Sequence, residues 1–132
     1  MRGVHFFIDK YRYFCESTGM KNTQALQRRI KEIQRELAGL GPMRPGSISE
    51  QYNVCGTPGC RCKDPKKPRK HGPYYHLNYT WRGRSRTEFV KAEDVDLIRE
   101  QLSNYKRFRA LCTEWVDVSL ELARLKKENR SG

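Results

Sequence analysis

The sequence has no long hydrophobic run and comparatively few acidic residues. No apolar stretch reaches the roughly 20 residues that a membrane-spanning helix needs, so we expect no membrane association. The chain of 132 residues has 15 Asp and Glu against 27 Lys and Arg, which gives a formal net charge of +12. This balance predicts a polyanionic partner, nucleic acid above all, because neutralising phosphates releases their condensed counterions.

The sequence also lacks the residue patterns that carry catalysis. It contains no Gly-rich phosphate loop, no Ser/His/Asp set and no paired carboxylates suited to one pocket. Apolar residues make up only 36% of the chain, so the core must be thin, and thin cores usually need a metal ion or a partner. We therefore expect a binding protein and not an enzyme.

The N-terminal residues do not have the pattern of a secretory signal. A short apolar run after Met1 is interrupted by Asp9, Lys10 and Arg12 well before it reaches signal-peptide length. We therefore expect a cytoplasmic protein, in which thiols stay reduced. The five cysteines are then better explained as metal ligands or buried thiols than as a disulfide framework.

Three closely spaced cysteines form the most specific motif in the sequence. Cys55, Cys60 and Cys62 have the spacing C-x4-C-x-C, with glycine and proline between them that allow a tight turn around an ion. Soft thiolate ligands in a tetrahedral site select Zn²⁺. His71 is the first candidate for the fourth ligand and His76, inside a predicted strand, is the second. A closed set of four protein ligands leaves no position for water, so we expect a structural zinc ion.

Apolar residues at heptad spacing predict two helices. The first should begin at Thr23, a suitable N-cap, and end near Ala38 before a glycine and proline cluster. The second should run from about Ala92 to about Lys127. The seams consist of Leu26, Ile30, Ile33, Leu37 and Leu40, and of Phe108, Leu111, Trp115, Val118, Leu122 and Leu125. Seams of similar length predict that the helices pack against each other or against a second copy.

Between the helices the apolar pattern changes to the two-residue period of strands. The predicted strands cover residues 47–54, 74–81 and 84–90. In the first strand Ile48, Tyr52 and Val54 should share one face. Arg82 and Gly83 separate the other two strands and suit a two-residue hairpin turn, because glycine takes positive φ freely.

Together these elements predict an α+β fold. A small zinc-braced antiparallel sheet of about three strands is flanked by an N-terminal helix and a long C-terminal helix, which form an antiparallel helical hairpin. The predicted segments are an aromatic and basic extension at 1–19, a heptad helix at 20–41, a zinc-loop and β-hairpin module at 42–91, the long helix at 92–128 and a disordered tail at 129–132.

Basic residues are concentrated around the cysteine motif and the hairpin. Between Arg61 and Lys91 there are ten basic residues and two acidic ones, which accounts for +8 of the total charge. Lysines in a Pro-broken loop can follow a phosphate backbone, and arginines on a two-stranded ribbon can reach guanine in a major groove. Aromatic side chains beside them can stack on unpaired bases. The candidate nucleic-acid contacts are Lys63, Lys66, Lys67, Arg69, Lys70, Tyr79, Trp81, Arg82, Arg84 and Arg86.

These features favour a non-catalytic, zinc-stabilised nucleic-acid-binding protein, with DNA favoured over RNA. The heptad helices would then form a homodimer or bind a protein partner. The alternative is a zinc-stapled coiled-coil adaptor or inhibitor whose basic face binds an acidic protein or a ribonucleoprotein. The two hypotheses differ in whether nucleic acid copurifies with the protein and is removed by high salt.

Three stretches of the sequence resemble a family of small, uncharacterised bacterial proteins. They are the run Arg44–Tyr52, the cysteine motif and the segment His71–Tyr75, which match the pattern R-P-G-S-[IL]-S-E-Q-Y, C-G-x-x-x-C-x-C and H-G-P-Y-Y. The resemblance covers roughly Met20 to Leu125 and implies His71 as the fourth ligand. Members of that family travel with mobile elements, which implies a role as an accessory or regulator of such an element.

Overall fold

The computed structural model describes residues 19–132, and these fall into two compact units. One unit is helical and combines the described part of Met1–Gly41 with Lys106–Gly132. The other unit, Pro42–Tyr105, contains the sheet and the cysteine loop. The predicted extension at residues 1–19 falls almost wholly outside the described part of the chain.

Two α-helices and three strands are the main elements of residues 19–132. In chain order they are helix α1 (Gly19–Ala38), strands β1 (Ser47–Asn53), β2 (His71–Trp81) and β3 (Arg84–Val90), and helix α2 (Val95–Ser131). The strands form one antiparallel sheet in the order β1-β2-β3. This confirms the predicted α+β fold of an N-terminal helix, a small antiparallel sheet and a long C-terminal helix. Neither α1 nor α2 has an apolar stretch long enough to cross a bilayer.

The sheet buries one face because its strands alternate between apolar and polar residues. Leu77 of β2 lies opposite Ile48 of β1, and Tyr75 lies opposite Val90 of β3. These four side chains contribute to one core, which the start of α2 completes with Val95, Ile98 and Leu102. We call this side of the sheet the core face, and its alternation is what the two-residue period of the sequence predicts.

Of the three residues predicted to share one face of β1, only Ile48 packs against the core. Tyr52 and Val54 are exposed. The pairing of β1 with β2 shifts between Gln51 and Asn53, where two residues of β1 span three residues of β2. The extra residue of this bulge lies in β2, so the alternation of β1 itself is not interrupted.

The helical unit is held by an apolar seam and a forked ion pair. Leu26 of α1 and Val118 of α2 are buried in one cluster. Arg29 donates from Nε and Nη2 to the two carboxylate oxygens of Glu114 at 2.6 and 2.7 Å, an arrangement that is stronger than a single charge-assisted hydrogen bond. Phe108, which the heptad pattern places in the seam, is exposed, whereas Leu111, Val118 and Leu125 are buried at seven-residue spacing.

Helix α1 begins earlier than its sequence predicts. The structure places its first residue at Gly19, so Thr23 lies within the helix and is not its N-cap. Asn22, in the first turn, is buried. The capping signal at Thr23 therefore does not mark the start of α1, and structural context commonly overrides such local preferences.

Helix α2 also extends beyond its predicted end. It continues to Ser131 and so includes most of residues 129–132, which the sequence predicts as a disordered tail. Ser131 Oγ donates to the carbonyl oxygen of Lys127 at 3.1 Å, and Arg124 forms an i, i+4 ion pair with Glu128. Such pairs support the last turns of a helix, and no glycine or proline interrupts α2 before Gly132.

Candidate metal centre

Four side chains converge at the end of the sheet where β1 leads into the cysteine loop. The ligand atoms of Cys55, Cys60, Cys62 and His71 all lie within 4.8 Å of one another. The Cys55 and Cys62 sulfurs are 3.5 Å apart, and the Cys60 sulfur is 3.3 Å from His71 Nε2. Ligands at about 2.3 Å from a tetrahedral ion are about 3.8 Å apart, so the cluster has the dimensions of a metal site. The sulfurs are too far apart for a disulfide, which needs about 2.05 Å.

The cysteine loop folds around this point through its own backbone. Gly59 has a φ of +76°, a conformation that glycine adopts without strain, and it reverses the chain just before Cys60. A short 3₁₀ helix, Arg61–Lys63, then begins, and the Lys63 amide donates to the Cys60 carbonyl oxygen at 3.0 Å. This turn directs Cys62 inward, where its side chain is 2% exposed.

The strand pairing selects His71 and not His76. His71 is the first residue of β2 and pairs with Asn53, two residues before Cys55. His76 lies five residues along the same strand, about 16 Å away at 3.3 Å per residue. It pairs with Ser49 on one side and stands edge-to-face against an aromatic ring on the other. The sheet therefore brings only His71 to the cysteines.

The thiols lie in an environment that favours metal binding. The backbone amide of Thr57 donates a hydrogen bond that lowers the pKa of the Cys55 thiol to about 6, and the amide of Cys62 lowers the pKa of Cys60. Burial raises the pKa of Cys62 instead, and hydrogen bonds to Cys55 and Cys60 raise the pKa of His71. Thiolates are the form that binds a metal, so two of the three cysteines are already biased toward it.

The loop between Cys62 and His71, which we call the lysine loop, carries all four predicted lysine contacts together with Arg69. Asp64 Oδ1 accepts hydrogen bonds from the amides of Lys66 and Lys67 at 2.8 and 3.3 Å, and the Arg69 amide donates to the Arg61 carbonyl oxygen at 3.0 Å. The backbone is thereby ordered while the charged side chains stay exposed. The exposed members are Lys63, Lys66, Lys67, Arg69 and Lys70.

The remaining predicted contacts meet at the tip of the β2–β3 hairpin. The turn has positive φ at both Arg82 and Gly83, at 50° and 75°, which is the two-residue geometry that the sequence predicts. Trp81 pairs with Arg84, and Tyr79 with Arg86, so the four side chains share the core face beyond the end of the buried cluster. With Arg82 they line a shallow cleft of about 450 Å³, which we call the tip cleft.

The two aromatic side chains of the tip cleft differ in how far other residues hold them in place. Trp81 is 53% exposed. Tyr79 packs against the core, and its hydroxyl donates to Glu88 Oε1 at 2.8 Å. Arg44 lies 3.7 Å from the other carboxylate oxygen of Glu88. Tyr79 therefore forms a fixed wall of the cleft, while the indole of Trp81 remains available to a ligand.

The two groups of basic residues are separated in the structure, although they lie close together in the sequence. The lysine loop precedes the first residue of β2 and the tip cleft surrounds its last residue. The strand has 11 residues, so at 3.3 Å per residue its ends are about 33 Å apart. A ligand that contacts both groups must extend along the whole sheet.

A family model described as Domain of unknown function (DUF6788) matches residues 23–100, more than half of the chain. The chain belongs to this family. The matched region contains most of α1, the complete sheet, all four members of the metal cluster and both basic groups. Searches of curated proteins and of solved structures found no match.

The sequence motifs do not point to a further group of residues on the side of the sheet opposite the core face. We call that side the open face. Phe89 is 65% exposed there, and its ring stands edge-to-face against His76 with centroids 5.9 Å apart. Tyr74 is also exposed on this face. The signal that would have found them is the hairpin register, which follows from the Arg82-Gly83 turn and puts His76 opposite Phe89.

Gly72 provides a test of how strictly the sheet must hold His71. A Cβ at this position would lie 2.7 Å from the Gln51 carbonyl oxygen, and φ is +137°. We expect Gly72→Ala to lower the free energy of unfolding by about 1–3 kcal/mol and to weaken metal retention. The matched control is Gly56→Ala, where a Cβ meets nothing within 4 Å. Chemical denaturation and metal content would be measured for both variants, and equal behaviour would contradict the expectation.

Proposed function

We propose that this chain is a non-catalytic, zinc-stabilised protein that binds nucleic acid through its β2–β3 hairpin and its lysine loop. The observation that carries the proposal is the tip cleft, where three arginines and an exposed indole surround one concave surface. Such a combination suits a ligand that presents both phosphates and bases, because guanidinium groups pair with phosphate and aromatic rings stack on bases.

Charge distribution around the tip cleft supports this proposal. No carboxylate is among the residues that line the cleft. The nearest acid in the hairpin, Glu88, accepts a hydrogen bond from Tyr79 and lies beside Arg44. The positive charge of Arg82, Arg84 and Arg86 is therefore not cancelled within the cleft, and a polyanion gains the release of counterions when it binds there.

We further propose that the ion is Zn²⁺ and that its role is structural. Three sulfurs and one imidazole nitrogen form the donor set that zinc prefers, and a closed set of four leaves no ligand position for a reaction. Bound zinc would hold Cys62 and His71 together and so fix both ends of the lysine loop. The cysteines and His71 supply the ligands, and the loop lysines supply charge to a phosphate backbone.

DNA is the proposed partner, and an accessory or regulatory role in a mobile element is the proposed context. A two-stranded ribbon has the width to enter a major groove, which supports duplex DNA as a ligand of the hairpin. The mobile-element context rests on the resemblance of the R-P-G-S-I-S-E-Q-Y run, the cysteine motif and the H-G-P-Y-Y segment to proteins that travel with such elements.

The test is direct binding by the metal-loaded full chain. Labelled duplex DNA, single-stranded DNA and RNA of one length would be titrated across a salt series. We expect log affinity for DNA to fall linearly with log salt, with a slope of about −0.9 for each phosphate contacted in a duplex. Absence of binding to every nucleic acid at low salt would refute the proposed function.

A protein adaptor or inhibitor is the second candidate, and one observation favours it. Val116 and Leu120 lie one turn apart on α2 and are both more than half exposed. Exposed apolar pairs of this kind are found at protein interfaces, although single exposed residues are also common. An adaptor would purify without material absorbing at 260 nm, whereas a nucleic-acid binder should carry such material until high salt removes it.

A further inference from the structure

The open face of the sheet carries aromatic rings and neutral polar groups. Its residues are Ser47, Ser49 and Gln51 in β1, Tyr74, His76, Asn78 and Thr80 in β2, and Ser85, Thr87 and Phe89 in β3. The aromatic rings lie toward the end of the sheet that bears the metal cluster. Hydroxyl and amide groups occupy the remainder, toward the hairpin tip.

The polar part of the open face is ordered by hydrogen bonds across all three strands. Asn78 donates to Ser49 Oγ at 3.0 Å and accepts from Thr87 Oγ1 at 2.9 Å. The hydroxyls of Thr80 and Ser85 are 2.8 Å apart. Each hydroxyl retains further hydrogen-bonding capacity, so this area offers donors and acceptors on a fixed grid.

The acidic residues of the strands all lie on the opposite side of the sheet. Glu50 pairs with Tyr75 and Glu88 pairs with Leu77, and both partners belong to the core face. The open face therefore has no carboxylate among its strand residues. Exposed lysines lie close to its aromatic end, in the loop before His71 and at Lys91, two residues after Phe89. Such a surface is complementary to a single nucleic-acid strand, because its neutral groups can contact the bases and the lysines at its edge can contact the phosphates.

From this arrangement we infer that the open face binds single-stranded DNA, with unpaired bases stacked on Phe89 and Tyr74. The inference rests on the proposed function, because the strand would come from the same DNA that the tip cleft contacts. A phenyl ring that is 65% exposed on an ordered strand gains most from a planar apolar partner. Sheets with exposed aromatic rings stack unpaired bases in this way.

The spacing of the aromatic rings on the open face indicates how many bases can stack there. Phe89 is opposite His76, and Tyr74 is the diagonal neighbour of Phe89. Diagonal neighbours on a sheet are about 7–8 Å apart, so each ring can take a base of its own. His76 meets Phe89 at an interplanar angle of 78° and thereby supports the phenyl ring from the side without covering it.

The decisive variant is Phe89→Ala in the metal-loaded full chain. Stacking on an aromatic ring contributes substantially to the binding free energy of each base. Loss of one stacked base should therefore weaken the affinity for a single-stranded DNA dodecamer about tenfold. Phe89→Trp should restore the affinity, because an indole stacks at least as well. The matched control is Leu97→Ala, which removes an apolar side chain of 56% exposure from the start of α2 in the same unit. We expect no more than about a twofold change for the control.

A second readout separates stacking from a change in overall charge or fold. A 2-aminopurine base in the same oligonucleotide should lose fluorescence on binding to the wild type and to Phe89→Trp, and keep it with Phe89→Ala. Binding of duplex DNA should be the same for all of these variants, since the tip cleft is unchanged.

Several outcomes would overturn the inference. If the wild type binds no nucleic acid, the proposed function and the inference fail together. If the wild type binds DNA but Phe89→Ala behaves as Leu97→Ala does, the open face is not the site and the proposed function stands. If an RNA dodecamer of the same sequence binds more tightly than the DNA dodecamer, the inference that the open face binds single-stranded DNA is wrong.

Discussion

Replacing Cys62 with serine, or removing the metal with a chelator, is expected to unfold the sheet unit while the helical unit keeps most of its structure. Cys62 is the buried member of the cluster, and its sulfur lies within 4.8 Å of the other three ligand atoms. Structural zinc in small domains contributes about 10–16 kcal/mol of apparent free energy. This equals or exceeds the total stability of an ordinary domain, about 5–15 kcal/mol.

The two units should respond differently because each has its own core. Leu26 and Val118 belong to the helical cluster, and Leu77 and Val90 belong to the cluster of the sheet. The sheet cluster is small for a unit that spans Pro42–Tyr105, so the loss of a bound ion should exceed what the remaining contacts supply.

Hydrogen exchange measured by mass spectrometry would check this prediction. Peptides from β1, β2 and β3 should lose protection in Cys62→Ser, whereas peptides from α1 and the C-terminal half of α2 should retain it. Cys112→Ser is the matched control, because Cys112 lies in α2 and outside the cluster. Elemental analysis should find about one zinc ion per chain in the control and none in Cys62→Ser. Unchanged protection of the strands would refute a structural role for the ion.

The triple variant Arg82→Ala, Arg84→Ala and Arg86→Ala is expected to lose DNA binding without loss of fold. All three side chains are exposed, and the turn keeps Gly83, so the hairpin should form. If each arginine contacts one phosphate, the slope of log affinity against log salt should become less steep by about 0.9 per residue. Affinity at moderate salt should fall by about 100-fold or more, since each contact is worth about 1 kcal/mol or more.

The control for this variant removes the same charge elsewhere. Arg28→Ala, Lys31→Ala and Arg35→Ala together change three exposed basic residues of α1, so net charge falls equally. Binding by the control should weaken only slightly and keep its salt slope. If both triple variants bind alike, the tip cleft has no special role and attraction depends on total charge alone. Circular dichroism would verify that both variants are folded.

Local sequence signals were sufficient to predict the helices and strands of the fold. The two-residue period around Leu77 predicted the strands, and the Arg82-Gly83 pair predicted the turn at the correct residues. These predictions succeed because backbone conformation and side-chain alternation depend mainly on neighbours in the chain. Helix boundaries were less accurate, since α1 begins at Gly19, before its capping signal, and α2 continues to Ser131.

The sequence by itself determined that Cys55, Cys60 and Cys62 form a candidate metal site with a histidine, because the spacing of the cysteines suits few other kinds of chemistry. Only the tertiary structure decided that His71 completes it, since the pairing of Asn53 with His71 depends on the register between two strands. The length of β2 separates the lysine loop from the tip cleft. The pairing of Asn53 with His71 joins residues on either side of the cysteine loop, so no local pattern encodes it.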